Sequence, residues 1–120
     1  MNDIIKIPMN PTLEGLAEIK SDVGFPTATG QDLKLSVIMP WRIDAQDTRR
    51  FPLIVFIQGS GFTFPNIYYE IPQLSQLAQK GYVVATVTHR NCMEGHPFPA
   101  YLQDVKTAIR FLRANADTYM

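Results

Sequence analysis

The chain has 120 residues, of which 46% are hydrophobic and 18% charged, and Lys+Arg balances Asp+Glu at eleven each. That composition supports a packed core and argues against disorder, the length fits one small domain rather than two, and a zero net charge without any basic run gives nucleic acid or an anionic membrane no electrostatic purchase. Cys92, the single cysteine, allows no internal disulfide; the opening segment Met1-Asn2-Asp3-Ile4-Ile5-Lys6 shows no signal peptide, and no apolar run is long enough to span a bilayer, so the expected setting is soluble and cytoplasmic.

In chain order, Ile4-Ile5-Lys6-Ile7-Pro8 is β-prone and reads as a short edge strand ended by Pro8, and Asn10-Pro11-Thr12 is turn chemistry. Leu16 to Val23 alternates loosely, 25–32 reads as loop, and Leu33 to Pro40 alternates clearly, with Leu33, Leu35, Val37 and Met39 on one face. Together these pieces predict an antiparallel opening hairpin. Trp41 to Arg50, carrying Asp44, Asp47, Arg49 and Arg50, is expected to be a solvated loop.

Pro52 suits a strand start because it donates no backbone hydrogen bond. Leu53 to Ile57 is then an unbroken apolar run, as in a strand buried on both faces of a parallel sheet, and it breaks into Gly59-Ser60-Gly61. Glycines at that point allow a sharp turn that aims N–H groups at a ligand, and the carboxyl edge of an open α/β sheet is where ligands bind. An aromatic loop follows. The next helix is predicted over about 71–80, with Pro72 in its first turn, Leu74, Leu77 and Ala78 toward the sheet, and Gly81 as its C′ residue. Tyr82 to Val87 is a second buried strand, Asn91 to Pro99 a loop, and Ala100 to Ala114 the clearest helix, with Leu102, Val105, Ile109 and Leu112 at helical spacing. Strand, helix, strand, helix in series means an α/β fold with right-handed crossovers.

Residues 52–62, 77–85 and 96–100, then Asp104-Val105 and Phe111-Leu112-Arg113, resemble the amino-terminal half of an α/β-hydrolase. The subgroup is the esterases and lipases related to hormone-sensitive lipase and to feruloyl or acetyl-xylan esterases, and the resemblance runs from about Leu33 to the end. It implies one partial domain over 1–120, in which 1–50 supplies the opening strands and 51–120 a β-α-β-α core. It also implies carboxylic ester hydrolysis by an acyl-serine mechanism on a small-molecule ester, with no cofactor.

In such enzymes the loop after the third strand reads His-Gly-Gly-Gly and lends N–H groups to the oxyanion hole. Here the oxyanion-hole loop would be Gln58, Gly59, Ser60, Gly61 and Phe62, with Gln58 in place of the histidine and Ser60 in place of a glycine. The same glycine spacing also fits a tight turn demanded only by strand-to-helix geometry. Arg90 and Asp104 match positions that pair structurally in the family, locking the strand end to the following helix.

Other chemistries fit less well. Ser60 lacks a Gly-x-Ser-x-Gly elbow, since position 58 is Gln and position 62 is Phe, and neither His89 nor His96 follows a nucleophile and acid in the order the family uses. A dinucleotide fingerprint would need a third glycine at 64, which is Phe; His89, Cys92 and His96 match no zinc spacing. The 120 residues contain no nucleophile elbow, so no catalytic residue is assigned. The chain then reads as the oxyanion-bearing part of a longer esterase or, alternatively, as a truncated, non-catalytic α/β module that binds a ligand or partner. In the family's strand order the run from Leu53 to Ile57 would lie between Tyr82–Val87 and a strand absent from this sequence. It becomes an exposed edge, open to self-association or to pairing with the missing half.

Overall fold

The computed structural model describes residues 3–6, 16–27, 30 and 32–120. The proposed turn at 10–12 and the end of the proposed first strand at Ile7 and Pro8 lie outside the described residues. Asp3 to Lys6 is exposed and is not part of the sheet.

Four strands form one sheet in the order β1-β2-β4-β3: β1 (Ala17–Pro26), β2 (Asp32–Pro40), β3 (Leu53–Phe56) and β4 (Val83–Val87). The first two make the antiparallel hairpin, β2 pairs antiparallel with β4, and β3 pairs parallel with β4 from Leu53 opposite Val83 to Phe56 opposite Thr86. Between β3 and β4 runs α1 (Ile71–Gln79); after β4 come a single 3-10 turn (Cys92–Glu94), α2 (Ala100–Ala114) and the short α3 (Ala116–Tyr119).

Side-chain parity sorts the sheet into two cores. Leu33, Leu35, Val37 and Met39 of β2 and Val83, Ala85 and Val87 of β4 pack with Ala108 and Leu112 of α2, while Ile38 and Val84 turn the other way onto Leu74 and Ala78 of α1. The helices therefore cover opposite faces, the arrangement that a right-handed crossover series produces.

β1 is longer than its alternation suggests. Phe25, expected in a loop, lies in the strand, is wholly buried, and meets Phe111 of α2 with ring centroids 6.2 Å apart. The reason is a bulge. Lys20 pairs with Val37 but Val23 with Leu35, so one extra residue enters at Ser21-Asp22. Asp22 takes φ 56° and donates its N–H to the Ser36 hydroxyl at 3.3 Å. A one-residue slip moves every later side chain to the other face. Ala17 accordingly packs on the α1 side, whereas Val23 and Phe25 reach the α2 side.

The expectation that the 53–57 run is buried on both faces is corrected by its place at the sheet edge. Leu53 and Ile57 are 39% and 44% exposed, and residues 54–56 are half-buried. Among the described residues, the strand has a hydrogen-bonded neighbour on the β4 side only.

Candidate functional site

The loop leaving β3 is built around a tight turn at residues 60–63. Thr63 N–H donates to the Ser60 carbonyl at 3.2 Å, and the two central residues, Gly61 and Phe62, have φ of 61° and 63°. Positive φ at both central positions is the type I′ pattern, which glycine adopts freely and a phenylalanine does not. Side chains close the turn a second time: the Ser60 hydroxyl donates to the Thr63 carbonyl at 2.9 Å, and the Thr63 hydroxyl donates to the Ser60 carbonyl.

Phe62 is held in its unfavourable conformation from outside the turn. Its ring stacks on Tyr101 of α2 with centroids 4.5 Å apart, and its carbonyl accepts the Cys92 N–H at 3.0 Å. His89 and Phe98 pack round the same Tyr101, each at 5.9 Å. Gln58 anchors the other end of the loop. Its side-chain carbonyl accepts the Asn66 N–H at 2.6 Å, and its amide points at the Glu70 carboxylate, 3.4 Å away at the head of α1.

Residues 57–62 and His89 enclose a cavity of about 250 Å³ at the carboxyl end of β3. Among the described residues, none accepts a hydrogen bond from the backbone N–H groups of Gly59, Ser60 or Gly61. His89 is buried and its Nδ1 lies 2.9 Å from the Arg90 carbonyl. A carbonyl only accepts, so Nδ1 carries the proton of this contact. Ser60 and His89 share the cavity, yet the Ser60 proton is committed to Thr63, and no Ser–His hydrogen bond forms among the described residues. A serine needs such a base to become a nucleophile.

Arg90 and Asp104 meet on the other side of the strand end. The Arg90 backbone N–H donates to Asp104 Oδ2 at 2.8 Å, and Arg90 Nε donates to the same oxygen at 3.0 Å and to Oδ1 at 3.2 Å. The two side chains are only 10% and 2% exposed. They tie the end of β4 to the second turn of α2 and touch neither the glycine turn nor its cavity. Cys92 and His96 are partly exposed, and among the described residues no three of His, Cys, Asp and Glu lie close enough to hold a metal ion. Among the described residues, no helix is long and apolar enough to cross a membrane.

Residues 41–120, two thirds of the chain, match the BD-FAE family. The chain belongs to the BD-FAE family. Among its relatives, Esterase LipC of Mycobacterium tuberculosis is 31% identical over 80 residues, and the platelet-activating factor acetylhydrolase of Cavia porcellus is 34% identical over 111 residues. Those alignments take in 66% and 88% of this chain but 20% and 24% of the relatives. A Pyrobaculum calidifontis esterase superposes with a TM-score of 0.69 and 27% identity, over 85% of this chain and 31% of the other. The BD-FAE match, the strand order and the helices on opposite faces together make this a partial α/β-hydrolase fold of the esterase and lipase type. The chain spans about a fifth to a third of the length of these three proteins.

The loop's supports were hidden in the sequence. Ser60 and Thr63 at i and i+3 are an ordinary turn pattern, whereas Asn66, Glu70 and Tyr101 reach the loop only through the fold. Nothing in their local sequence marks them.

Proposed function

We propose that this chain supplies the oxyanion-hole loop of a carboxylic ester hydrolase that works through an acyl-serine intermediate. Gly59, Ser60 and Gly61 offer the N–H donors, Gln58 and Phe62 hold the loop that carries them, and the serine, its acid and its histidine come from outside these 120 residues. The observation that carries the reading is the set of three N–H groups without acceptors among the described residues, beside a 250 Å³ cavity at the carboxyl edge of the sheet. In the reaction a serine oxygen attacks the ester carbonyl, whose oxygen becomes negative. Donors already aimed at that position need no reorganisation as the charge develops. The substrate class is a small-molecule ester, and residues 1–120 form one unit whose β3 edge pairs with a strand from another stretch of polypeptide.

Two measurements test this. The 120-residue chain alone is expected not to hydrolyse p-nitrophenyl acetate above buffer; turnover that disappears in Ser60→Ala would transfer the nucleophile to Ser60 and overturn the assignment. In a protein that carries these residues together with a Gly-x-Ser-x-Gly strand–turn–helix, Gly59→Pro deletes one donor. The expected loss is about 10²–10³ in kcat. A change confined to KM would show that the loop only shapes the binding surface.

A further inference from the structure

A second cavity, of about 410 Å³, lies where the ends of β1 and β4 meet α2, and Thr27, Arg90, Gln103, Asp104, Lys106 and Arg110 border it. It contains three cations and one carboxylate. Asp104 engages the Nε side of Arg90 together with its backbone N–H, leaving both terminal nitrogens of the guanidinium without a hydrogen-bond partner among the described residues. Arg90 itself is nine-tenths buried. A buried guanidinium fixed along one edge, with its other donors turned to a cavity, is preorganised for an oxyanion, because its planar fork matches two oxygens at once.

Lys106 and Arg110 strengthen the case. They stand one turn apart on α2, where like charges repel, and among the described residues neither has an ion-pair or hydrogen-bond partner. With the Arg90–Asp104 pair neutral, they leave two uncompensated positive charges at the mouth. The volume suits a small molecule rather than a bare ion. His89, the neighbour of Arg90, lines the glycine-loop cavity instead, so the two cavities share no residue.

We propose that this cavity binds a small molecule bearing a diphosphate or closely spaced phosphate groups. Arg90 takes two oxygens through its terminal nitrogens, Lys106 and Arg110 neutralise the remaining charge, and the Gln103 amide is the neutral donor.

The test is calorimetric titration of the chain with inorganic pyrophosphate and, separately, with inorganic phosphate at low ionic strength. One-to-one binding is expected, tighter for pyrophosphate. The double variant Lys106→Gln/Arg110→Gln leaves the Arg90–Asp104 pair intact and should weaken binding by at least about tenfold. Arg113→Gln, elsewhere on α2, should leave it unchanged. Circular dichroism shows whether the double variant keeps its helices; if it does not, Lys106→Gln alone replaces it, with a smaller loss expected. No heat at millimolar pyrophosphate, or equal affinity in wild type and variant, would overturn the proposal. Co-sedimentation with phosphatidic-acid vesicles without any response to pyrophosphate would also overturn it, since the phosphate would then belong to a lipid surface.

Discussion

Asp104 gives up its hydration inside the fold and, among the described residues, recovers it from Arg90 alone, through one backbone and two side-chain contacts. A pair this buried behaves unlike a surface ion pair worth ~1 kcal/mol or less. Removing Arg90 strands the Asp104 carboxylate away from water, so Arg90→Ala is expected to cost about 3–5 kcal/mol in denaturant unfolding. A loss no larger than that of an exposed pair would show that water reaches Asp104. Asp47 is the contrasting case, in the loop between β2 and β3. The Arg49 guanidinium, and after it the Ile43 N–H, hold its carboxyl well below its ordinary value of 3.8. Because folding lowers this pKa, the stabilisation is complete above about 3.8 and is lost only as the pH falls toward the folded value. The melting-temperature gap between wild type and Asp47→Asn should therefore be constant from neutral pH down to mildly acidic pH and narrow only below the ordinary carboxylate range. A gap that closes between neutral and mildly acidic pH would mean that another group sets it.

Among the elements, α1 and α2 were legible because each satisfies several local rules at once. α1 has Pro72 in its first turn and ends at Gly81, whose φ is 98°. α2 repeats its apolar residues at helical spacing, and its observed bounds coincide with the pattern. Gly81→Ala places a Cβ in the left-handed region, although only ordinary contact with Phe51 at 3.8 Å awaits it, so the cost is conformational. About 1–2 kcal/mol of destabilisation is expected in chemical unfolding. Gly24, in β1 with open space around it and no positive φ, is the control, and Gly24→Ala should be neutral or slightly stabilising. What could not be read was any feature that one strand imposes on another. The bulge at Ser21-Asp22 exists because β1 must serve the α1 face at Ala17 and the α2 face at Phe25, and a pattern read along one strand cannot show that. The same holds for the glycine loop. Its turn residues were visible, but the Tyr101 stack and the Gln58 bridge between Asn66 and Glu70 belong to tertiary structure.

At the scale of the whole molecule, the sheet ends on the wrong kind of strand. Among the described residues β3 is bonded to β4 on one side only, and its sequence Leu-Ile-Val-Phe has neither the charge nor the bulge with which edge strands discourage pairing. Beside it lies a small apolar hollow of about 170 Å³ bordered by Phe51, Leu53, Val83, Leu112, Tyr119 and Met120. Leu53, Ile57 and Tyr82 are each more than a third exposed. Every 100 Å² of apolar surface left in water forgoes about 2.5 kcal/mol, against a total domain stability of ~5–15 kcal/mol. A few such patches thus weigh as much as the fold itself. The isolated 120-residue chain is therefore expected to associate with itself through β3. Size exclusion with light scattering across a dilution series should show a mass that rises with concentration. Leu53→Lys puts a charge on the edge and should lower that mass at equal concentration without loss of α-helical signal. A wild-type monomer at every concentration, with a sharp thermal transition and no binding of a hydrophobic dye, would mean that the β3 edge is protected in solution.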